Sequence, residues 1–310
     1  MSVPSVGVLV MAYGGPDRLA DVEPYLLDVR GGRPTPAHLV DEVRARYAAI
    51  GGRSPILERT RAQAAALGTA LAATGHPFPV VVGMRHWQPR IASALAELGD
   101  RGIRRVVGLV MAPHYSRLSI DLYFRQVDQH RGPLEFTGIQ EWHRLPGYVA
   151  AVAARVRDAL VRIAPAPQDR VPVVFTAHSL PSRILESGDP YPEQLAASVR
   201  AITACLGDGL RQYHFAYQSA ALTPDPWLGP DVGAVLTRLA DQGERNVVVA
   251  PIGFTCEHVE VLYDIDVELR RQADGLGVRL ERAAMVNADS EMMTGLADLV
   301  VAAVRHEGWV

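Results

Sequence analysis

An α/β fold with doubly wound parallel sheets is predicted for this chain by three observations. Short Val-rich runs carry little polar alternation, as strands covered on both faces do: Val6–Met11, Pro79–Gly83, Val106–Met111, Val171–Thr176, His214–Tyr217 and Asn246–Ala250. Stretches of helical period lie between them, the strand–helix alternation of a parallel sheet. The third observation is a duplication. VGVLVMAYGGP (Val6–Pro16) resembles VPVVFTAHSLP (Val171–Pro181), and VVGLVMAPHYS (Val106–Ser116) resembles VVVAPIGFT (Val247–Thr255). Two similar halves are therefore expected, residues 1–147 and 148–310, joined near Leu145–Gly147, with the Pro-rich Ala164–Arg170 as a later connection. The last helix is expected to be able to pack back on the first half.

The elements follow in order. Met1–Ala12 is apolar but lacks a cationic leader and a cleavage pattern, so it reads as a first strand rather than a secretion signal. Ser54-Pro55 reads as an N-cap followed by Pro at the first helical position, and Gly75 closes that helix. From Ser290 onward, Leu296, Leu299, Val300, Ala303 and Val304 share one helical face. No run of 18 apolar residues is present to span a membrane, and a soluble cytoplasmic monomer is expected.

Composition narrows the functions. The chain of 310 residues is 48% hydrophobic and 21% charged, ordinary for a globular protein. Only 6% of residues are aromatic, the net charge is -3 and no basic run occurs, so nucleic acid is not an expected partner. All 31 cations are Arg, so no phosphate loop ending in G-K-[ST] exists. Tyr13-Gly14-Gly15-Pro16 is not a dinucleotide fingerprint either. Two cysteines, Cys205 and Cys256, cannot build a disulfide framework or hold a four-cysteine cluster.

Ligands of open α/β sheets bind beyond the carboxyl ends of strands, and the four duplicated loops lie there. His178 follows an apolar strand. No G-x-S-x-G surrounds Ser179, which removes a serine hydrolase, but an imidazole there suits a first-row metal. With an ordinary pKa near ~6.5, it would be neutral and able to exchange protons near neutral pH. Glu260, Asp264 and Glu268 recur every four residues, one acidic stripe if the segment is an α-helix. Val259, Val261, Leu262 and Ile265 argue that the helix is enclosed, and an enclosed carboxylate ladder suits a divalent cation or protons. Seven arginines (30, 33, 44, 46, 53, 59 and 61) stand against only Asp41, Glu42 and Glu58 in the same stretch, a counter-charge for an anionic ligand or a solvated helix surface.

Five segments together resemble the ferrochelatase family in family order: Leu9–Pro16, Arg46-Tyr47 with Ile50–Pro55, Thr176–Pro181, Tyr217–Ser219 with Pro226–Asp231, and Pro251–Glu268. The resemblance runs nearly end to end. It implies two similar Rossmann-like, chelatase-type domains, each a four-stranded parallel sheet flanked by helices, with a porphyrin cleft between them. It implies insertion of Fe(II) into a porphyrin in heme biosynthesis, with His178 and Glu260 facing the metal and the pyrrole nitrogens. Asp264 and Glu268 would continue the stripe as an entry path. Tyr13 is typical of members acting on coproporphyrin III, and Arg30, Arg46, Tyr47, Ser54 and Tyr123 would be propionate and rim contacts. Coproporphyrin III is the expected substrate; protoporphyrin IX, another metal of the same chelatase class, and a non-catalytic tetrapyrrole carrier are the alternatives. Fe(II) is then a substrate and no cofactor is required. Some relatives carry a [2Fe-2S] cluster, and two cysteines imply none here. Transient contact with coproporphyrinogen oxidase and coproheme decarboxylase is implied as well. Ser219-Ala220-Ala221-Leu222 departs from the family pattern, which puts one pocket wall in question.

Overall fold

The computed structural model describes residues 6–163, 171–207, 210, 212–220 and 225–309. Ala164–Arg170 and the Ala221-Leu222 part of the departing stretch lie outside the described residues. The described chain forms two compact units. One comprises residues up to Trp142 with Cys256–Val259 and Asn287–Val310; the other comprises His143–Thr255 and Glu260–Val286.

In the first unit the chain runs β1 (Val6–Ala12), α1 (Val22–Val29), α2 (Ala37–Ala49), α3 (Ile56–Ala73), β2 (Val80–Met84), α4 (Ile91–Asp100), β3 (Arg105–Val110), α5 (Ile120–His130) and β4 (Glu135–Ile139). The second unit holds α6 (Pro146–Ile163), β5 (Val173–His178), α7 (Tyr191–Leu206), β6 (Tyr213–Gln218), α8 (Val232–Asp241) and β7 (Asn246–Pro251). Then follow α9 (Val259–Leu262), a π-helical segment (Asp264–Leu269), α10 (Arg270–Gly275) and β8 (Arg279–Arg282), before α11 (Ser290–His306) returns to the first unit.

Each unit contains one parallel four-stranded sheet, ordered β2-β1-β3-β4 in the first and β6-β5-β7-β8 in the second. The duplication read from the sequence is thus a duplication of topology, with β5 in the place of β1. All seven residues of β1 are buried. Alternate side chains leave the two faces of a strand, so both faces of β1 are covered. Leu9 and Met11 pack with Leu95 and Leu98 of α4 and Tyr123 and Val127 of α5. On the second sheet, Val174, Val247 and Val249 pack with Val235 and Leu239 of α8 and Ile265 and Leu269 of the π segment. Among the described residues no helix is long and apolar enough to cross a membrane.

The first unit takes in the last helix, as the expectation for that helix allowed, together with Cys256–Val259. In the first unit α11 packs on β3 and β4; in the second α6 packs on the equivalent strands β7 and β8. Each sheet thus gains its outer helix from the segment that follows the other sheet's last strand, α6 after β4 and α11 after β8, and α11 joins the unit whose strands it covers. Strands β4 and β8 escaped the sequence reading because they are short and carry exposed charges at their starts, Glu135 and Arg279. The helix expected after Ser54, α3, begins at Ile56 with Pro55 in the cap position, one residue later than read, and Ser54 Oγ accepts only a long 3.4 Å bond from the Ile56 N–H.

Close packing at β3 gives a stability test. A Cβ on Gly108 would come within 2.5 Å of the Phe136 ring and 3.1 Å of Met11 Cε. Gly108→Ala should destabilise the protein by ~1–3 kcal/mol, the usual cost of overpacking. A denaturant midpoint no lower than wild type would show that the ring yields freely.

Candidate active site

Chemistry-bearing side chains gather at the strand ends of each unit. In the second unit, β5 ends on His178, whose backbone carbonyl accepts a hydrogen bond from the buried Tyr191 hydroxyl at 3.0 Å. Its Nε2 lies 3.5 Å from Glu260 Oε1, and its Nδ1 bonds the Ser179 carbonyl. Both partners are acceptors, so a ring protonated on both nitrogens satisfies both. Burial opposes that charge, but the Glu260 carboxylate, the Ser179 carbonyl and the nearby Asp264 outweigh it and push His178 up to about 9. The neutral imidazole expected from the sequence is therefore an imidazolium at neutral pH, because its partners were invisible in the sequence.

Glu260 is fixed from behind. Gln218, 1% exposed, accepts from Thr176 Oγ1 at 2.7 Å and donates from Nε2 to the Glu260 carbonyl at 2.7 Å. Ser219, with a left-handed φ of 60°, turns its hydroxyl to donate to Asp264. The ring of Trp227 stands 6.4 Å from that of His178. The loop after β5 is tied down by Ser179 Oγ donating to the Leu228 carbonyl at 2.8 Å and by backbone bonds between Leu180 and Leu228 and between Ser182 and Pro226.

The expected continuous acidic helix is not what forms. Only Val259–Leu262 is α-helical, and Asp264–Leu269 is wound as a π-helix, where Glu268 N–H reaches back five residues to the Tyr263 carbonyl at 2.9 Å. The change of winding rotates successive residues differently from an α-helix, so a spacing of four no longer defines one α-helical face. Exposure rises along the segment: Glu260 and Asp264 are half-buried and Glu268 is exposed. Asp266 is held bidentately by Arg282 at 2.7 and 2.9 Å, anchoring the π segment to β8.

In the first unit, Tyr13 follows β1 and is 38% exposed. Its ring tilts against His86, with centroids 4.6 Å apart. His86 Nδ1 is 2.9 Å from Asp28 Oδ2, and Arg90 is 2.8 Å from Asp28 Oδ1. Burial, reinforced by Arg85 and Arg90, holds His86 below the usual imidazole value against the pull of Asp28. Neutral His86 thus donates its Nδ1–H to Asp28. Gly15 brings its backbone against Ser54: a Cβ there would lie 2.6 Å from Ser54 Cβ and Oγ. Ser54 and Tyr47 are both buried, and Tyr47 meets Tyr25 edge-on at 6.5 Å. Arg46 pairs with Glu42 at 2.7 Å, one helical turn away. Arg30 is exposed just after α1, and Tyr123 is buried on α5.

The structure therefore joins His178, Glu260 and Asp264 in one cluster, and sets Ser54 and Tyr47 behind the loop that carries Tyr13. Asp28, Arg85, His86 and Arg90, as well as Tyr191 and Gln218, were missed. Arg85 and His86 follow β2 and Gln218 ends β6, so the strand-end rule could have found them; the others are recognisable only through their bonds.

Comparison with known proteins gives one family. The ferrochelatase profile matches residues 5–304. A ferrochelatase of Deinococcus radiodurans is 41% identical over 299 residues, covering 95% of each chain. A coproporphyrin III ferrochelatase of Bacillus subtilis is 36% identical over 307 residues, covering 97% of this chain and 98% of its own. Among solved structures, SirB from Bacillus subtilis with Fe3+ shares the fold with a TM-score of 0.58 at 10% identity, covering 98% of both chains. CbiX, the terminal enzyme of siroheme biosynthesis in denitrifying bacteria, does so with a TM-score of 0.51 at 14% identity, covering 96% of this chain and 99% of its own.

The electrostatics of the pair are open to direct measurement. An NMR titration of the His178 imidazole should give a midpoint near 9 in the wild type. Glu260→Gln removes the main raising charge and leaves the burial that opposes protonation, so the midpoint should fall. A midpoint near 6.5 in the wild type, or one unmoved by Glu260→Gln, would overturn the assignment of an imidazolium–carboxylate pair.

Proposed function

The chain belongs to the ferrochelatase family, and from that premise we propose that it inserts Fe(II) into coproporphyrin III, giving Fe-coproporphyrin III and two protons. The observation that carries the metal step is the His178–Glu260 pair. Nitrogen and carboxylate ligands of a divalent first-row ion lie ~2.0–2.2 Å from it, so two ligands of one ion stand ~3–3.5 Å apart. The pair already has that separation, 3.5 Å. Among the described residues no group of three or more His, Cys, Asp or Glu is placed to hold a metal. Two protein ligands suit an ion in transit, since the rest of its coordination must pass to pyrrole nitrogens.

Proton flow follows from the charge state. The Glu260 carboxylate takes the first pyrrole proton, because His178 already carries one at neutral pH. Binding of Fe(II) to the His178 nitrogen displaces that proton to solvent, with Asp264 and the exposed Glu268 offering carboxylates on the way, and the neutral imidazole left when the ion passes to the porphyrin accepts the second pyrrole proton. Tyr191 and Gln218 hold the two main chains, so neither ligand has to be ordered during the reaction.

Support for coproporphyrin III comes from Tyr13, from the arginine-rich stretch and from relatives carrying that name at 36% identity. In this reading Arg30, Arg46, Tyr47, Ser54 and Tyr123 are the proposed porphyrin contacts. Arg46 would exchange Glu42 for a substrate carboxylate. Fe(II) is the substrate and no resident cofactor is invoked.

Turnover with Fe(II), measured side by side, should give a higher kcat/KM for coproporphyrin III than for protoporphyrin IX. Equal or better use of protoporphyrin IX would overturn the substrate assignment. His178→Ala should bind porphyrin within about tenfold of wild type yet insert iron at least ~10²-fold more slowly. Anaerobic insertion at the wild-type rate by a variant that still binds porphyrin would remove His178 from the reaction.

A further inference from the structure

We propose that Arg85 is a carboxylate-binding subsite of the first unit and a further residue that makes ligand affinity depend on peripheral carboxylates. The inference rests on the porphyrin reading above and extends it to a residue that the reading did not use. Arg85 directly follows β2, and its N–H donates to the Ala12 carbonyl at 2.9 Å, pinning its backbone beside the end of β1. Its guanidinium carbon lies 5.8 Å from the Tyr13 ring centroid and 5.4 Å from that of Tyr123. Two aromatic faces thus hold the cation in place. They attract its charge but fill none of its five N–H donor positions. Arg85 Nε is buried and has no hydrogen-bond partner, and among the described residues no carboxylate pairs with the guanidinium.

Its neighbours differ in this respect. Arg90 pairs with Asp28, Arg46 with Glu42 and Arg44 with Asp41. Asp28, the carboxylate next to the cluster, is taken by Arg90 and His86. His86 is kept below the usual imidazole range by burial and by Arg85 itself, so it adds no countercharge. A half-buried guanidinium with unfilled donors beside the exposed Tyr13 calls for an anion from outside the chain. A planar fork matches a carboxylate bidentately, and the two rings beside it restrict how the guanidinium can move. Arg46 must first release Glu42, whereas Arg85 has nothing to release.

The test is fluorescence-quenching titration of coproporphyrin III and of its tetramethyl ester in one buffer, with wild type, Arg85→Gln and Arg85→Lys. Arg85→Gln should weaken binding of the free acid by about tenfold or more and leave the ester within about twofold. Arg85→Lys keeps the charge but loses the fork, and should fall between wild type and Gln, again on the acid alone. It carries the comparison if the Gln variant does not fold. Equal weakening of acid and ester would make Arg85 a spacer between two tyrosines and overturn the proposal. An unchanged acid affinity in a variant set whose wild type binds porphyrin would overturn it too. A wild type that binds neither ligand would instead overturn the porphyrin reading, and the subsite with it.

Discussion

Burial of both faces of each sheet dictates where this protein can do chemistry. Within β1, β5 and β7 almost every side chain is enclosed, and the backbone donors and acceptors are consumed by parallel ladders. A charged group inside such a strand would pay desolvation without a partner. Polar function is pushed to the carboxyl ends, where the ladder stops and the backbone turns outward. Tyr13, Arg85, His178 and Gln218 all sit at or just beyond a strand end, and Gln218 in turn holds the carbonyl of Glu260 on α9. Other features of the strand ends, the left-handed Ser219 in the second unit and the close approach of Gly15 and Ser54 in the first, are adjustments of loops that this constraint creates.

At those ends a charge pair is useful only if it is held, not merely attracted. His178 and Glu260 come from elements far apart in sequence, and each has its main-chain carbonyl anchored by a buried donor, Tyr191 in one case and Gln218 in the other. The separation of the pair is thereby a property of the scaffold. Its electrostatics are then set by surroundings: burial alone would discharge the imidazole, and only the carboxylates and the Ser179 carbonyl keep it charged. Removing one member would leave the other as an uncompensated half-buried charge, so the two side chains form a unit whose energies do not add.

The fold class and the strand-end loops were legible because they depend on local pattern: Val-rich runs, helical period and a repeated strand-loop signature. His178 and Glu260 were legible through the loops that hold them. Three things were not. The π winding at Asp264–Leu269 has no signature in a stretch whose acidic spacing of four fits an α-helix; a continuous α-helix would have been the simpler outcome, and the Arg282 clamp on Asp266 that accompanies the π segment comes from a strand 16 residues away. The return of α11 to the first unit was foreseen as an option, but the reason for it was not legible, because it depends on which sheet lacks an outer helix. The charge on His178 depends on two acceptors at its ring nitrogens, one of them brought in by a separate element.

The duplication shows how one topology yields two chemistries. The sheets repeat the same strand order, and Tyr13 and His178 follow or end equivalent strands. Yet the polar ends have diverged in charge. The first unit surrounds its strand ends with Arg85, Arg90, a neutral His86 and tyrosine rings; the second surrounds its own with Glu260, Asp264 and an imidazolium. A guanidinium among aromatic faces selects anions and flat π-systems, whereas carboxylates with an imidazole select cations and protons. Because the sheets are buried and the ends are loops, such divergence costs the core nothing. The duplicated α/β unit thus carries both kinds of end on the same strand order.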